Sequence, residues 1–276
     1  MIIEPKIRNN VCLSAHPGGC AMQVREQINY VRGRGAFEGA GNVLVIGGSN
    51  GYGLAARIVA AFGCGSATVS VSYEKPGTEK RSGTSGWYND RAFEEEAGSA
   101  GLAQWTINGD AFTREVKQQV AGLIEEEMGS VDLIVYSIAA PRRLDPDTGE
   151  LYSSAIKPIG KPYTSKTVDF QTGELKDVTA EPASEEEASH TVKVMGGEDW
   201  MLWIQTLLGA DVVAPAATTV AFSYIGPELT FPIYRSGTIG RAKRHLEETT
   251  RALQNLLHPL GGRAVVSINK ALVTRA

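Results

Sequence analysis

Apolar and polar positions fall along the chain in blocks that predict strands and helices in alternation. Val43 to Ile46 is a continuous apolar run, as a strand buried on both faces requires. Gly47, Gly51 and Gly53 follow at the spacing G-x-x-x-G-x-G, and the amphipathic stretch to Phe62 then reads as a helix. Upstream, Val24, Ile28 and Val31 have the i, i+4, i+7 spacing of a first helix, preceded by an extended arm over residues 1 to 20 that closes in the Pro-Gly-Gly turn of AHPGGC. Downstream come a second strand at Ala67 to Ser72, a Gly/Ser-rich loop, a helix over 90 to 97 and a third strand at Ala103 to Ile107. A helix over 112 to 128 leads to a fourth strand, VDLIVYSI.

The pattern changes between Leu144 and Ser184. Two T-G-E turns, at Thr148 and Thr172, and alternating segments such as SKTVDF and ELKDVT predict β-hairpins inserted into the alternating order. Helices resume at 184 to 194 and in GGEDWMLWIQTLLGADVV, where Asp199 is a candidate cap and Trp200 and Trp203 are candidate core. A fifth strand, TTVAFSY, ends at Tyr224. A ten-residue loop leads to Tyr234, a helix runs from about Gly237 to Leu257, and a last strand covers Ala264 to Ile268. The expected fold is a Rossmann-type doubly wound parallel sheet with helices on both faces and a β-hairpin insertion, one domain over 1–276.

Composition narrows the class. Hydrophobic residues at 42%, charged residues at 21% and a net charge of −4 with the signs interspersed describe an ordinary globule with no electrostatic case for nucleic acid. No apolar run is long enough to span a membrane and MIIEPKIRNN lacks a signal-peptide pattern, so a cytoplasmic location without membrane insertion is the expectation. Three cysteines in such a chain predict reduced thiols. Cys12, His16 and Cys20 are evenly spaced, but a zinc site needs a fourth ligand and His190, His245 and His258 lie in unrelated segments. No metal is expected.

The candidate chemistry begins at the glycine turn. Glycines let the backbone turn sharply and approach a ligand, and the following helix points unpaired N–H groups at it. A pyrophosphate suits Gly47, Gly48, Ser49, Asn50, Gly51, Tyr52 and Gly53; a tight turn without a ligand is the alternative. Glu74, at the tip of the second strand, is placed to accept hydrogen bonds from the adenosine ribose hydroxyls and to repel the extra phosphate of NADP, favouring NADH, or else is an exposed loop glutamate. Tyr73 either lies on the adenine or covers the sheet end. Asp110 either meets the adenine or caps the next helix. Small residues Ala139 and Ala140 leave room at the crevice. Arg142 and Arg143 are a surface pair or a lure for a phosphorylated carrier.

Tyr234 and Lys243 share a Tyr-x8-Lys gap between the fifth strand and the next helix. There a phenol hydrogen-bonds a substrate oxygen as charge develops, and the lysine lowers the phenol pKa and holds ribose hydroxyls. The spacing alone is weak, since Tyr152 and Lys161 repeat it inside a Pro/Gly-interrupted loop and Tyr73 and Lys80 give a shorter version. The Tyr-x3-Lys of ketone reductases is absent: Thr238 follows Tyr234 and Ile156 follows Tyr152 at that distance. Tyr224 either adds a second phenol or packs on the insertion.

Taken together, MIIEPKIRNNVCLSAHPGGC, GGSNGYGLA, SYEKPGT, YSIAAPRR, VMGGEDW, FPIYRSGTIGRAK and NKALVTRA resemble the FabV-type enoyl-acyl-carrier-protein reductases and related trans-2-enoyl-CoA reductases over nearly the whole chain. The resemblance implies NADH-dependent reduction of trans-2-enoyl thioesters in fatty-acid synthesis, with enoyl-acyl-carrier-protein or enoyl-CoA as substrate. It implies Tyr234 as the phenol that stabilises the enolate, with Lys243 in support and Tyr224 nearby. It places the pyrophosphate on the Gly47–Gly53 loop, the ribose on Tyr73 and Glu74, the adenine on Asp110 and Ala111, and Ala139 and Ala140 on the crevice floor, with Thr274 a nicotinamide-carboxamide contact. A complete member is expected to be a monomer. Members continue beyond NKALVT, which implies either a fragment of a longer protein or a lost remainder, with poor solubility or self-association through an uncovered apolar face if the chain ends here, and as the alternative function NAD binding without turnover.

Overall fold

The computed structural model describes residues 3–8, 11–12, 14–169 and 172–270. A short ribbon, β1 (Ile7–Arg8) against β2 (Val11–Cys12), precedes helix α1 (Pro17–Arg32). The Pro-Gly-Gly segment is therefore the first turn of α1 and not the close of an extended arm. Proline at the first helical position gives up an N–H that would have had no partner, and Nδ1 of His16 accepts from Gly19 N at 3.1 Å as the cap.

The central sheet is built from β3 (Asn42–Ile46), β4 (Ala67–Ser72), β5 (Gln104–Asn108), β6 (Val131–Tyr136), and two later strands. Alternating with these come α2 (Gly51–Cys64), α3 (Ser85–Ser99) and α4 (Arg114–Glu127). Two hairpins follow, β7 (Arg142–Leu144) with β8 (Leu151–Ser153) and β9 (Tyr163–Val168) with β10 (Leu175–Ala180), each turning at one of the T-G-E sequences. Then come α5 (Glu185–Met195), α6 (Glu198–Gly209), β11 (Val213–Ser223), α7 (Thr238–Leu257) and β12 (Arg263–Ile268).

All pairs in the six-stranded sheet are parallel, in the order β12-β11-β6-β3-β4-β5. This is the doubly wound order expected from the alternation, with the direction of winding reversing between β3 and β6. One face, carrying Leu44, Ile46, Ile134 and Tyr136, packs against α4, α6 and α7 through Val120, Ile124, Trp200, Trp203, Leu246 and Leu253. The other face, carrying Val43, Val45 and Val135, packs on α2, behind which α1, α2 and α3 share a second cluster around Ile28, Ile58 and Phe93. In-register residues on that second face grade outward: Val45 and Val135 are buried, Val220 is half-buried and Val265 is 43% exposed.

Trp200 and Trp203 are fully buried, as their one-turn spacing suggested. Removing roughly 200 Å² of indole from water at about 25 cal/mol per Å² contributes on the order of 5 kcal/mol each before ordering entropy. Their N–H groups are satisfied by Thr219 Oγ1 at 2.8 Å and Ala111 O at 3.1 Å. Helix α3 starts at Ser85, five residues before the expected start, because Gly86 and Ser85 continue the helix in spite of their loop-like composition. Strand β11 starts at Val213, ahead of the expected Thr218, and bends through a register shift between these residues in which Ala216 takes φ +60°.

Two polar residues read as surface or cap features are buried structural partners, and a third, Asp110, is not the cap it was read as. Asp199 does not cap α6, whose N-cap is Gly197; it is buried, accepting from Lys117 Nζ at 2.8 Å and Tyr136 Oη at 3.1 Å. Thr113 caps α4 by accepting from Val116 N, so Asp110 does not. Arg143 is buried against Glu198 Oε2 and Lys193 O, both at 2.7 Å, and only Arg142 stays at the crevice. No helix of the described residues is long and apolar enough to cross a membrane.

Lys117 also donates to the carbonyls of Ala111 and Phe112 at 2.8 and 3.0 Å. Lys117→Met strands Asp199 as a buried charge and is expected to cost about 3–5 kcal/mol. The check is a fall in the urea midpoint at constant slope, with Lys117→Met combined with Asp199→Leu recovering most of the loss.

Candidate active site

A crevice of about 950 Å³ opens at the carboxyl ends of β3, β6 and β11, at the reversal point of the sheet. Its first wall is the turn from β3 into α2. Gly47 has φ +89°, a conformation favouring glycine, and a Cβ at Gly53 would collide with the Gly47 carbonyl. Asn50, the N-cap of α2, makes no side-chain cap bond, so the first turn keeps N–H groups available to an anion. A backbone cradle closed by glycine and aimed by a helix N-terminus fits a dinucleotide pyrophosphate. Ser49, Asn50, Gly51 and Tyr52 line the crevice with Gly47, whereas Gly48 and Gly53 stand behind them and shape the turn.

Glu74 lines the same end. Its Oε1 accepts from Ser49 Oγ at 2.6 Å and Asn50 Nδ2 at 3.4 Å, which excludes a free loop glutamate. Asn108 brackets the Glu74 backbone, accepting from its N–H at 2.7 Å and donating to its carbonyl at 3.0 Å. That support went unnoticed in the sequence; the signal was that Asn108 ends the strand paired with the one that ends before Glu74. Tyr73 is 74% exposed at the rim. Asp110 Oδ1 accepts from Phe112 N at 3.0 Å, and Asp110 and Ala111 both face the crevice.

Ala139 and Ala140 lie on the lining as expected, but Ser137 and Ile138 join them. Ser137 follows β6 directly, and its carbonyl approaches Gly47 so closely that a Cβ there would clash. Thr274 lies outside the described residues.

The opposite wall carries Tyr224, Tyr234 and Lys243. Tyr224 directly follows β11, one residue past the strand's end at Ser223, and the loop beyond it folds back through a 3-10 turn at Glu228–Thr230 that accepts Tyr234 N on Thr230 O at 3.0 Å. Gly240 N then donates to Tyr234 O at 2.7 Å, locking the tyrosine to the start of α7. The two rings meet edge to face, centroids 5.1 Å apart at 86°. Tyr152 of the competing pair is instead buried, its Oη donating to Glu150.

Burial, and then the Tyr224 phenol, raise the Tyr234 pKa. The expectation that Lys243 lowers it is not met. Burial also depresses the Lys243 pKa to about 8, and no described side chain pairs with its ammonium. A protonated phenol in the same crevice as a desolvated lysine suits hydrogen-bond donation to a developing oxyanion. The crevice is also lined by Leu144, Leu151, Ile156, Met195, Phe222 and Ile239, an apolar set that the sequence pattern did not reveal because five separate elements and a loop supply it.

A doubly wound sheet with a glycine cradle at its reversal point defines a Rossmann-type dinucleotide-binding protein. Profiles described as "NAD(P)H binding domain of trans-2-enoyl-CoA reductase" and "Trans-2-enoyl-CoA reductase catalytic region" match residues 2–79 and 81–276. The chain belongs to the trans-2-enoyl-CoA reductase family. It is 53% identical over 276 residues to an enoyl-[acyl-carrier-protein] reductase [NADH] of Flavobacterium johnsoniae, covering 100% of this chain and 70% of that one. It is 52% identical over 276 residues to a trans-2-enoyl-CoA reductase [NADH] of Clostridium perfringens, covering 100% and 71%. A crystal structure of Treponema denticola trans-2-enoyl-CoA reductase in complex with NAD superposes with a TM-score of 0.95 at 53% identity, over 100% of this chain and 70% of that one.

The depressed Lys243 pKa fixes a pH signature. The charged, desolvated lysine costs stability in full below about pH 8, and that cost is relieved as pH rises from there to the unfolded value near 10.5. Lys243→Met is expected to raise unfolding stability by roughly 1–3 kcal/mol at pH 7, with the gain shrinking to nothing across that interval. Denaturant titrations at pH 7, 9 and 10.5 provide the measurement.

Proposed function

We propose that this protein reduces the C2–C3 double bond of a trans-2-enoyl thioester with NADH, giving the saturated acyl thioester. The observation that carries this reading is the pairing of Tyr234 with Tyr224 and Lys243 across one crevice from the glycine cradle and Glu74. Enzyme names and a cofactor complex among the relatives support it.

Bound NADH supplies a hydride to the substrate β carbon. The chain does the rest. The α2 N-terminus and the Gly47–Gly53 turn hold the pyrophosphate, Glu74 accepts from the ribose, and Asp110 and Ala111 border the adenine. As electrons shift to the thioester carbonyl, Tyr234 Oη donates a hydrogen bond to the enolate oxygen, and Tyr224 adds a second phenol. A proton passed to the enolate from a tyrosine phenol, which solvent then reprotonates, forms the α C–H bond and completes the reduction. Lys243 places positive charge on this side and stabilises the developing anion. The mostly apolar lining from Leu144 to Ile239 excludes water and accepts the acyl chain, whose carrier is acyl-carrier-protein or coenzyme A.

Tyr234→Phe is expected to lower kcat by about 10²–10⁴-fold with crotonyl thioester while leaving NADH binding intact. Absorbance at the nicotinamide band reports turnover and fluorescence titration reports binding. Turnover equal to the parent removes Tyr234 from this role, and NADH binding without turnover in the parent chain favours a binding-only function.

A further inference from the structure

Gly86 sits in the first turn of α3, where a glycine weakens the helix by about 1 kcal/mol relative to alanine. It has no positive φ and no turn to make. Its neighbours supply the reason for it. A Cβ on Gly86 would fall on Oε1 and Cδ of Glu74 and, next nearest, on Asn50 Nδ2. The Glu74 carboxylate thus occupies the space of the missing side chain.

Two hydrogen bonds hold the carboxylate there, and Asn89 braces their donors. Ser49 Oγ donates to Oε1, Asn50 Nδ2 adds a longer bond to the same oxygen, and the buried Asn89 donates to Asn50 Oδ1 at 2.9 Å and to Ser49 O at 3.0 Å. The bond from Asn89 fixes which end of the Asn50 amide faces Glu74. Oε1 is spoken for inside the protein, while Oε2 has no protein partner among the described residues and Glu74 borders the crevice. The start of α3 has no side-chain cap bond, and the positive end of its dipole favours the carboxylate beside it.

We propose that Gly86 is a specificity-determining position for the cofactor: its missing side chain is the seat of the Glu74 carboxylate, anchored through Ser49 and Asn50 so that the outer oxygen meets the adenosine ribose and its charge bars a 2′-phosphate. The inference rests on the reading of Glu74 as the ribose acceptor. Gly86 touches no cofactor in this scheme and acts by positioning Glu74. An added methyl meets the movable end of a glutamate, so Gly86→Ala is expected to expel the carboxylate and leave α3 folded, its helix propensity improved.

The experiment is fluorescence titration of NADH and NADPH on the full chain for the parent, Gly86→Ala, Glu74→Ala and the double variant, with thermal unfolding of each. Loss of one charge-assisted hydrogen bond predicts roughly tenfold weaker NADH binding in both single variants and a correspondingly narrower NADH over NADPH preference. The double variant should bind like Glu74→Ala alone, since both changes remove the same contact. An unchanged cofactor preference in Gly86→Ala alongside a changed one in Glu74→Ala overturns the role of Gly86 and keeps that of Glu74. Equal weakening toward both cofactors, or additive losses in the double variant, also overturns it. No change in Glu74→Ala overturns the ribose reading itself.

Discussion

Everything functional in this protein depends on how closely two strand ends are brought together. The Gly47 backbone packs against the Ser137 carbonyl, and Gly53 comes down on the Gly47 carbonyl, leaving no room for a side chain at any of these contacts. Those approaches bring the N-terminus of α2 beside the end of β6, where the winding direction reverses and a crevice must open. A side chain at either glycine would push α2 away from the sheet and separate the N-terminus of α2 from the wall that carries the phenols.

Around that contact the molecule uses buried charge as scaffolding. Lys117 joins Asp199 to the carbonyls of Ala111 and Phe112, so the crevice wall at Asp110 and Ala111 is tied to α6 and not only to its own strand. Arg57, also fully buried, bonds Gln104, Trp105 and Thr106 of β5 and faces Asp90 of α3 at 3.6 Å; Ser72, at the end of β4, donates to the same aspartate. Burial raises the Asp90 pKa to about 6 despite that guanidinium. Breaking such a network by removing one partner leaves uncompensated charge in low dielectric, which is costly.

The phenol wall is made differently. Its position comes from loop backbone: the 3-10 turn before Tyr234, the bond from Gly240 to Tyr234 O, and Thr238 clasping Lys157 and Ala155 from the hairpin region. The inserted hairpins thus do more than decorate the sheet. One supplies Leu144 and Leu151 to the apolar lining, and the chain after it anchors the start of α7.

The sequence alone determined the parallel alternation, the glycine turn and the hairpins at the T-G-E sites, because each is written in local periodicity or in backbone chemistry that only certain residues tolerate; Tyr234 and Lys243 stood out only by their place between a strand and a helix, since their spacing recurs elsewhere. Tertiary structure decided what local pattern could not. It turned Asp199 and Arg143 from a cap and a surface charge into buried partners, since their counter-charges, Lys117 and Glu198, lie on helices distant in sequence. It carried α3 back through Gly86, a residue that reads as loop until Glu74 is seen filling its place. It also set the direction of the Tyr234 and Lys243 pKa shifts, which follow from burial against several elements at once and from no spacing along the chain.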